Sequence, residues 1–320
     1  MKHRAIVSIA LILSVAIGIA ADRAVPVGYG LVNVSAASLR HDPAHASEME
    51  TQALYGTPLE ILSDSLADWC MCRMPDGYEA YIPRSAFAPK TEQEMARWRS
   101  ADRLIVTASG EHHLVADTLS ASPRNVVSDV TWLSILEGRK APGSAFVLAT
   151  LPDGRQGYLP ASAVADFAEW AARGPSADAI ADAAYAMRGV PYLWGGASSK
   201  AVDCSGLTQL CYFSAGLLLP RNASQQAKAG AGIDLADSSA LRRADLLFFG
   251  EGEGERITHV ALFDADSRFI HASGRVFESS FDPQHPLYIP RRVLKAVRIL
   301  GTPQAAAMAV AHHPAYFNQR

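Results

Sequence analysis

The sequence predicts an α+β protein in which two small β-barrels precede a mixed helix-and-strand unit, and three observations lead there. Trp69 to Phe87 aligns without a gap on Phe146 to Val164. From Ser176 the texture changes to alanine-rich, helically spaced sequence. Further on, a glycine-rich run opens into a helix that begins at Cys204. Self-similarity of this kind means duplicated modules, and strands that follow a nucleophile-bearing helix give an α+β unit.

The repeat matches Pro75 with Pro152, Asp76 with Asp153, Gly77 with Gly154, Tyr81 with Tyr158 and Pro83 with Pro160. In each copy an alternating strand enters a Pro-Asp-Gly turn and leaves as a second strand, which is a hairpin with its turn chemistry explicit. A short strand, an Asp-Gly hairpin and then Gly/Ala-Tyr-Leu/Ile-Pro resembles bacterial SH3-like domains. The resemblance implies barrels over residues 29–90 and 103–166, with a linker over 91–102 whose Thr91 to Ser100 is helical.

The third unit is expected over 175–301. Ala177 to Arg188 has helical spacing with Ser176 as its cap. The Cys204 helix runs to about Ala215 and stops at Gly216, and strand-like runs follow at Asp245 to Phe249, His259 to Asp264 and Arg268 to His271. Residues 302–320 form an alanine-rich tail with no readable chemistry.

Lys2, His3 and Arg4 precede an apolar run from Ala5 to Ala20 that ends in a small-x-small site, the pattern of a cleaved signal peptide over 1–20. The run is shorter than the roughly 20 residues a bilayer span needs, and no cysteine follows it for lipid attachment. The expectation is an exported, periplasmic or secreted protein with no stable membrane insertion after cleavage.

Across 320 residues the formal charge is −3 with acids and bases interspersed, which excludes a basic nucleic-acid footprint. Cys70 and Cys72 are too close to bridge, Cys204 and Cys211 share a helix, and neither pair has metal-binding spacing. No metal and no cofactor is expected, and three of the four thiols read as small buried apolar groups.

Cys204 is the candidate nucleophile. A helix N-terminus leaves N–H groups unpaired and carries partial positive charge, which favours a thiolate and an oxyanion. A thiol with an ordinary pKa of about 8.5 needs a base. His259 opens an apolar strand-like run and His271 closes the next, so antiparallel pairing brings the imidazoles side by side, with His259 as base and His271 as its orienting partner. Acyl transfer to water is the reaction class.

Tyr192-x-Trp194-Gly-Gly, Asp203-Cys204-Ser205-Gly206, Leu219-Pro-Arg221-x-x-x-Gln225-Gln226, Asp245-Leu-Leu-Phe-Phe249, Thr258-His259-Val260 and Ile270-His271-Ala272-Ser273 together resemble NlpC-type, papain-like cell-wall cysteine peptidases. The resemblance implies catalytic roles for Cys204, His259 and His271, and peptidoglycan stem peptides as substrate. Asn222 and Arg243-Ala244 depart from the family's common Asp or Thr and Pro-Gly. Two SH3-like barrels before such a domain resemble the γ-D-glutamyl-L-diamino acid dipeptidyl-peptidases, which read a free N-terminal L-alanine.

An ammonium needs carboxylate partners and a closed cleft end. Asp203 is one candidate, Glu48 the chosen acid of the first barrel and Tyr81, or Tyr78, its phenol. Tyr192 and Trp194 are expected to line the cleft and Ser205 to offer a hydroxyl, while Asp203 equally suits a helix cap. Arg221 reads as a surface ion-pair member or cleft wall, and His41 and His45 as surface residues. An endopeptidase or amidase acting on intact wall, and a catalytically silent wall-binding protein, are the competing readings.

Overall fold

The computed structural model describes residues 24–250 and 256–319; the expected signal peptide lies outside them. The first barrel is built from β1 (Gly28–Val32), β2 (Ala36–Arg40), β3 (Met49–Leu54), β4 (Pro58–Ser63), β5 (Trp69–Arg73), β6 (Glu79–Pro83) and β7 (Phe87–Lys90). All seven strands send residues into one core, among them Val32, Leu39, Ala53, Ile61, Cys72 and Ile82, so the sheet curls around its own apolar face. Its strand order is β3-β2-β6-β5-β4-β1-β7.

Thr91 caps α1 (Glu92–Ser100). Its hydroxyl accepts from Glu94 N at 3.2 Å while the Glu94 carboxylate accepts from Thr91 N at 2.7 Å, a capping box that sets the start of the linker helix. The second barrel follows as β8 (Arg103–Val106), β9 (Glu111–Val115), β10 (Val126–Thr131), β11 (Ile135–Gly138), β12 (Phe146–Thr150), β13 (Gln156–Pro160) and β14 (Val164–Asp166), in the order β10-β9-β13-β12-β11-β8-β14. Strand for strand this is the first barrel's topology. Both hairpin turns need a left-handed residue, and Gly77 (φ +83°) and Gly154 (φ +89°) supply it.

The third unit begins with α2 (Phe167–Ala171) and α3 (Ala177–Ala186), then β15 (Ala197–Ser198), β16 (Ala201–Val202), α4 (Cys204–Ser214) and α5 (Ala223–Gln226). The strands β17 (Ala231–Ile233), β18 (Leu246–Gly250), β19 (Ile257–Phe263), β20 (Arg268–Ser273), β21 (Arg275–Ser280) and β22 (Val293–Arg298) complete it as an antiparallel sheet ordered β17-β22-β18-β19-β20-β21. α4 packs across β19 and β20 and against α3. Three of these strands, β17, β21 and β22, are additional to those expected from sequence.

The tail has a structural task. After α6 (Pro303–Ala307), Val310 N donates to Gly216 O at 2.9 Å, and Asn318 Nδ2 reaches Ser100 Oγ at 2.6 Å. It thereby ties the third unit to the linker helix. Arg103, 3% exposed, lies over the rings of Trp98, Phe167 and Phe317 at 4.4, 4.7 and 5.1 Å. Burial pushes its guanidinium down to about 10, and the ring faces, together with the Arg99 carbonyl that accepts from Nη2 at 3.0 Å, compensate the charge.

The barrels dock differently. The second packs on the first, with Ile135 N donating to Tyr55 O at 2.8 Å and Thr131 Oγ1 to Ser35 O at 2.9 Å. The first packs on the third unit through its edge strand β3, where Gln52 Oε1 accepts from Ala197 N at 3.0 Å. A neighbouring element therefore covers an edge that would otherwise lie open. At this contact Gly195 has φ +76°, and a Cβ there would meet the Met49 carbonyl at 2.3 Å. Among the described residues no helix is long and apolar enough to cross a membrane.

Candidate active site

Asp203 starts α4. Its Oδ1 accepts from Gly206 N at 2.7 Å as the N-cap, and its Oδ2 accepts from Gly195 N at 3.0 Å, which fixes the glycine-rich loop to the helix start. Arg221, 1% exposed, donates through both terminal nitrogens to the same carboxylate, to Ser205 Oγ at 2.9 Å and, through Nε, to Thr51 Oγ1 of the first barrel at 2.8 Å. Asp203 is thus saturated by donors. Ser205 Oγ donates in turn to Asp203 Oδ1 at 3.2 Å, so its hydroxyl is committed inward.

Cys204, the first helical residue, is 8% exposed. Its sulfur accepts from the backbone N–H of Val260 and of Ser205. The first contact sets it against the strand that carries His259. The second is one of the helix-start donors that have no partner within the helix.

On β19 and β20, His259 Nε2 lies 2.7 Å from His271 Nδ1, with the rings edge to face at 83°. Antiparallel pairing of Leu262 with Ile270 and of Phe263 with Phe269 sets that juxtaposition. Phe249 and Phe269 pack against the pair and Phe277 against His271. With Nε2 engaged by His271, Nδ1 is the His259 nitrogen that remains.

Burial pushes the Cys204 thiol up, with the Asp203 charge adding, while the two N–H bonds and Arg221 oppose the shift. Burial pushes His259 down to about 3, helped by His271 and Arg291, and His271 down to about 4, helped by Arg291. All three shifts favour a neutral thiol and neutral imidazoles at rest.

Tyr192 is half-buried, and its phenol is pushed up to about 12 by burial and then by Cys204 and Asp203. It stands beside Cys204. Trp194 is 62% exposed. Glu48 is exposed, and Tyr81 sits half-buried in β6 opposite Met71 and Arg40.

Glu50 and Tyr78 are the first-barrel acid and phenol that meet. Tyr78 Oη donates to Glu50 Oε2, and Glu50 Oε1 lies 2.8 Å from His41 Nδ1. Burial and then Glu50 push the Tyr78 phenol up to about 12, while a hydrogen bond with Asn222 and the charge of Arg221, which holds Asp203, pull it the other way. The β2–β3 register shifts between Leu39↔Thr51 and Arg40↔Met49, leaving Glu50 as the extra residue of a bulge. A bulge re-aims side chains, and the sequence carries no signal for it. Arg221 is buried, which overturns its surface ion-pair reading and leaves the cleft-wall alternative. His41 has a partner in Glu50, and His45 lies against Trp69 with ring centroids 5.0 Å apart.

Residues 189–298 match the NlpC/P60 family and residues 39–87 the bacterial dipeptidyl-peptidase Sh3 domain. The chain carries an NlpC/P60 domain. It is a cysteine peptidase of the peptidoglycan-hydrolase family. Dipeptidyl-peptidase 6 of Lysinibacillus sphaericus is 29% identical over 271 residues, 79% of this chain and 91% of that relative. A γ-D-glutamyl-L-lysine dipeptidyl-peptidase of Bacillus cereus is 26% identical over 247 residues, 71% of this chain and 68% of that one. The crystal structure of an NlpC/P60 family protein from Bacillus cereus shares the fold, with TM-score 0.71 and 22% identity, over 84% of this chain and 99% of that one. Among the described residues no cluster of metal-ligating side chains occurs.

Proposed function

We propose that this enzyme is exported and hydrolyses the γ-D-glutamyl to diamino acid bond of peptidoglycan stem peptides that begin with a free L-alanine. Residues 175–301 act as the catalytic domain, and the barrels at 29–90 and 103–166 act as its cleft wall and brace. The observation that carries the reading is the Glu50–Tyr78 pair of the first barrel, set beside the Arg221 that grips Asp203. A carboxylate hydrogen-bonded by a phenol suits a substrate ammonium, and a barrel packed against the loop before the nucleophile gives the cleft a closed end. Both relatives described above are named as dipeptidyl-peptidases.

In this reading Cys204 Sγ attacks the γ-carbonyl carbon while His259 Nδ1 takes the thiol proton. The Ser205 N–H faces the sulfur and supplies an oxyanion donor as the tetrahedral species forms. His259 returns the proton to the leaving amine, the C–N bond breaks, and water repeats the sequence on the thioester. Asp203, already holding five hydrogen bonds, serves the helix start, and the ammonium falls to Glu50.

The test compares L-Ala-γ-D-Glu-diamino acid peptides with free and with acetylated N-termini. Cleavage of the free peptide alone is expected. Equal cleavage overturns the free-amine reading in favour of an endopeptidase, and activity in Cys204→Ala overturns the thiol mechanism.

A further inference from the structure

We infer that Ser279 is a positioning residue that fixes the tautomer of His271, an inference that rests on the Cys204–His259–His271 reading. Neutral imidazole has one N–H donor and one bare nitrogen acceptor. For His259 to take a proton at Nδ1, its Nε2 must already carry one, and that N–H must find an acceptor 2.7 Å away at His271 Nδ1. His271 then carries its own proton on Nε2. The group that meets that nitrogen is Ser279 Oγ, at 3.1 Å.

The register makes this contact a property of the sheet. Phe277 faces His271 across β20 and β21, and Ser279 faces Phe269, so Ser279 is the diagonal neighbour of His271 on the same face. Both residues are 1% exposed, which leaves bulk water no part in choosing the tautomer. The rings packed on the pair, those of Phe249, Phe269 and Phe277, are apolar, and Arg291 is a charged group whose field reaches both imidazoles. Ser279 is therefore the hydrogen-bonding side chain that faces His271 Nε2, and a serine hydroxyl can accept there while its own proton turns elsewhere.

Removing the hydroxyl strands a buried N–H. The ring relieves that by moving its proton to Nδ1, which then donates to His259 Nε2 and drives the His259 proton onto Nδ1, facing the thiol. A base protonated on the side of its substrate proton cannot accept it. A carboxylate partner would hold the same tautomer but add a negative charge; a serine holds it without one.

The experiment uses the full chain with Ser279→Ala and Ser279→Thr. Ser279→Ala is expected to lower kcat about 10-fold or more at nearly constant KM, and Ser279→Thr, which keeps the hydroxyl, to recover most of it. Two readouts lie beyond a merely structural role. The pH profile of Cys204 alkylation by iodoacetamide shifts in Ser279→Ala, and ring-nitrogen NMR finds His271 protonated on Nε2 in the wild type and on Nδ1 in the variant. Wild-type His271 protonated on Nδ1 overturns the inference even where Ser279→Ala fails to fold. So does full activity of Ser279→Ala. If Cys204→Ala or His259→Gln retains activity, the underlying reading fails instead, which separates the two cases.

Discussion

The two barrels share a strand order and a Pro-Asp-Gly turn, yet their turns meet different surroundings. In the first, Asp76 accepts from Tyr78 N at 3.0 Å and from Gln209 Nε2, on the helix that Cys204 starts, at 2.8 Å. In the second, Asp153 accepts from Arg155 Nε at 2.7 Å and from Asn33 Nδ2 of the first barrel at 2.9 Å. Tyr78, the phenol of the proposed amine site, has Arg155 at the matching place of the second copy. Duplication preserved the topology, because the alternating apolar residues dictate it. The role moved with the turn's neighbours.

The sharpest way to break this comparison is to remove the acid of one barrel and the base of the other. Glu50→Gln is expected to lower kcat/KM on free-amine peptides about 100-fold, the scale of a lost charge-assisted hydrogen bond, and Arg155→Ala to change it less than about twofold. Steady-state kinetics on both variants decides. Similar losses would mean the barrels contribute alike.

Next in size is the pair of turn aspartates. Asp76→Ala strands a Gln209 N–H and the Tyr78 N–H at a buried junction and is expected to cost about 1–2 kcal/mol of stability. Asp153→Ala removes contacts nearer solvent and is expected to cost under about 0.5 kcal/mol. Urea unfolding of both variants measures the difference, and a larger loss at Asp153 would reverse the assignment.

The smallest effect concerns His41. Its hydrogen bond to Glu50 raises its pKa, with the charges of Asp42 and Glu50 adding, so the charged pairing is present below that pKa and is lost as pH rises through it. Protonated His41 competes with a substrate ammonium for Glu50. KM for free-amine peptides is therefore expected to fall modestly, by about twofold or less, as pH rises from about 6 to 7.5. His41→Ala should flatten this dependence, and a slope that survives the substitution assigns it elsewhere.

Much of the architecture was legible in the chain. The Pro-Asp-Gly repeat announced two hairpins, the run from Thr91 to Ser100 announced a linker helix, and Asp203 before Cys204 announced a helix start. Local chemistry sets each of these, so local sequence reports it. Ala244 was visible only as a departure from a family glycine, and in the structure it is buried with φ +71°. A side chain in that region costs about 1–2 kcal/mol, held here by Tyr212 Oη and the Phe263 carbonyl, which bond its C=O and N–H.

What the sequence alone determined is the set of chemically active groups and the elements that carry them: Cys204 at a helix start, and His259 and His271 on adjacent strands. Tertiary structure decided which groups meet. A one-residue bulge brings Glu50 rather than Glu48 to Tyr78, docking of an edge strand buries Arg221 against Asp203 and Thr51, and a diagonal across two strands sets Ser279 on His271. Helix caps and hairpin turns are written within a few residues. Such meetings depend on register and on surfaces far apart in the chain, which no local pattern encodes.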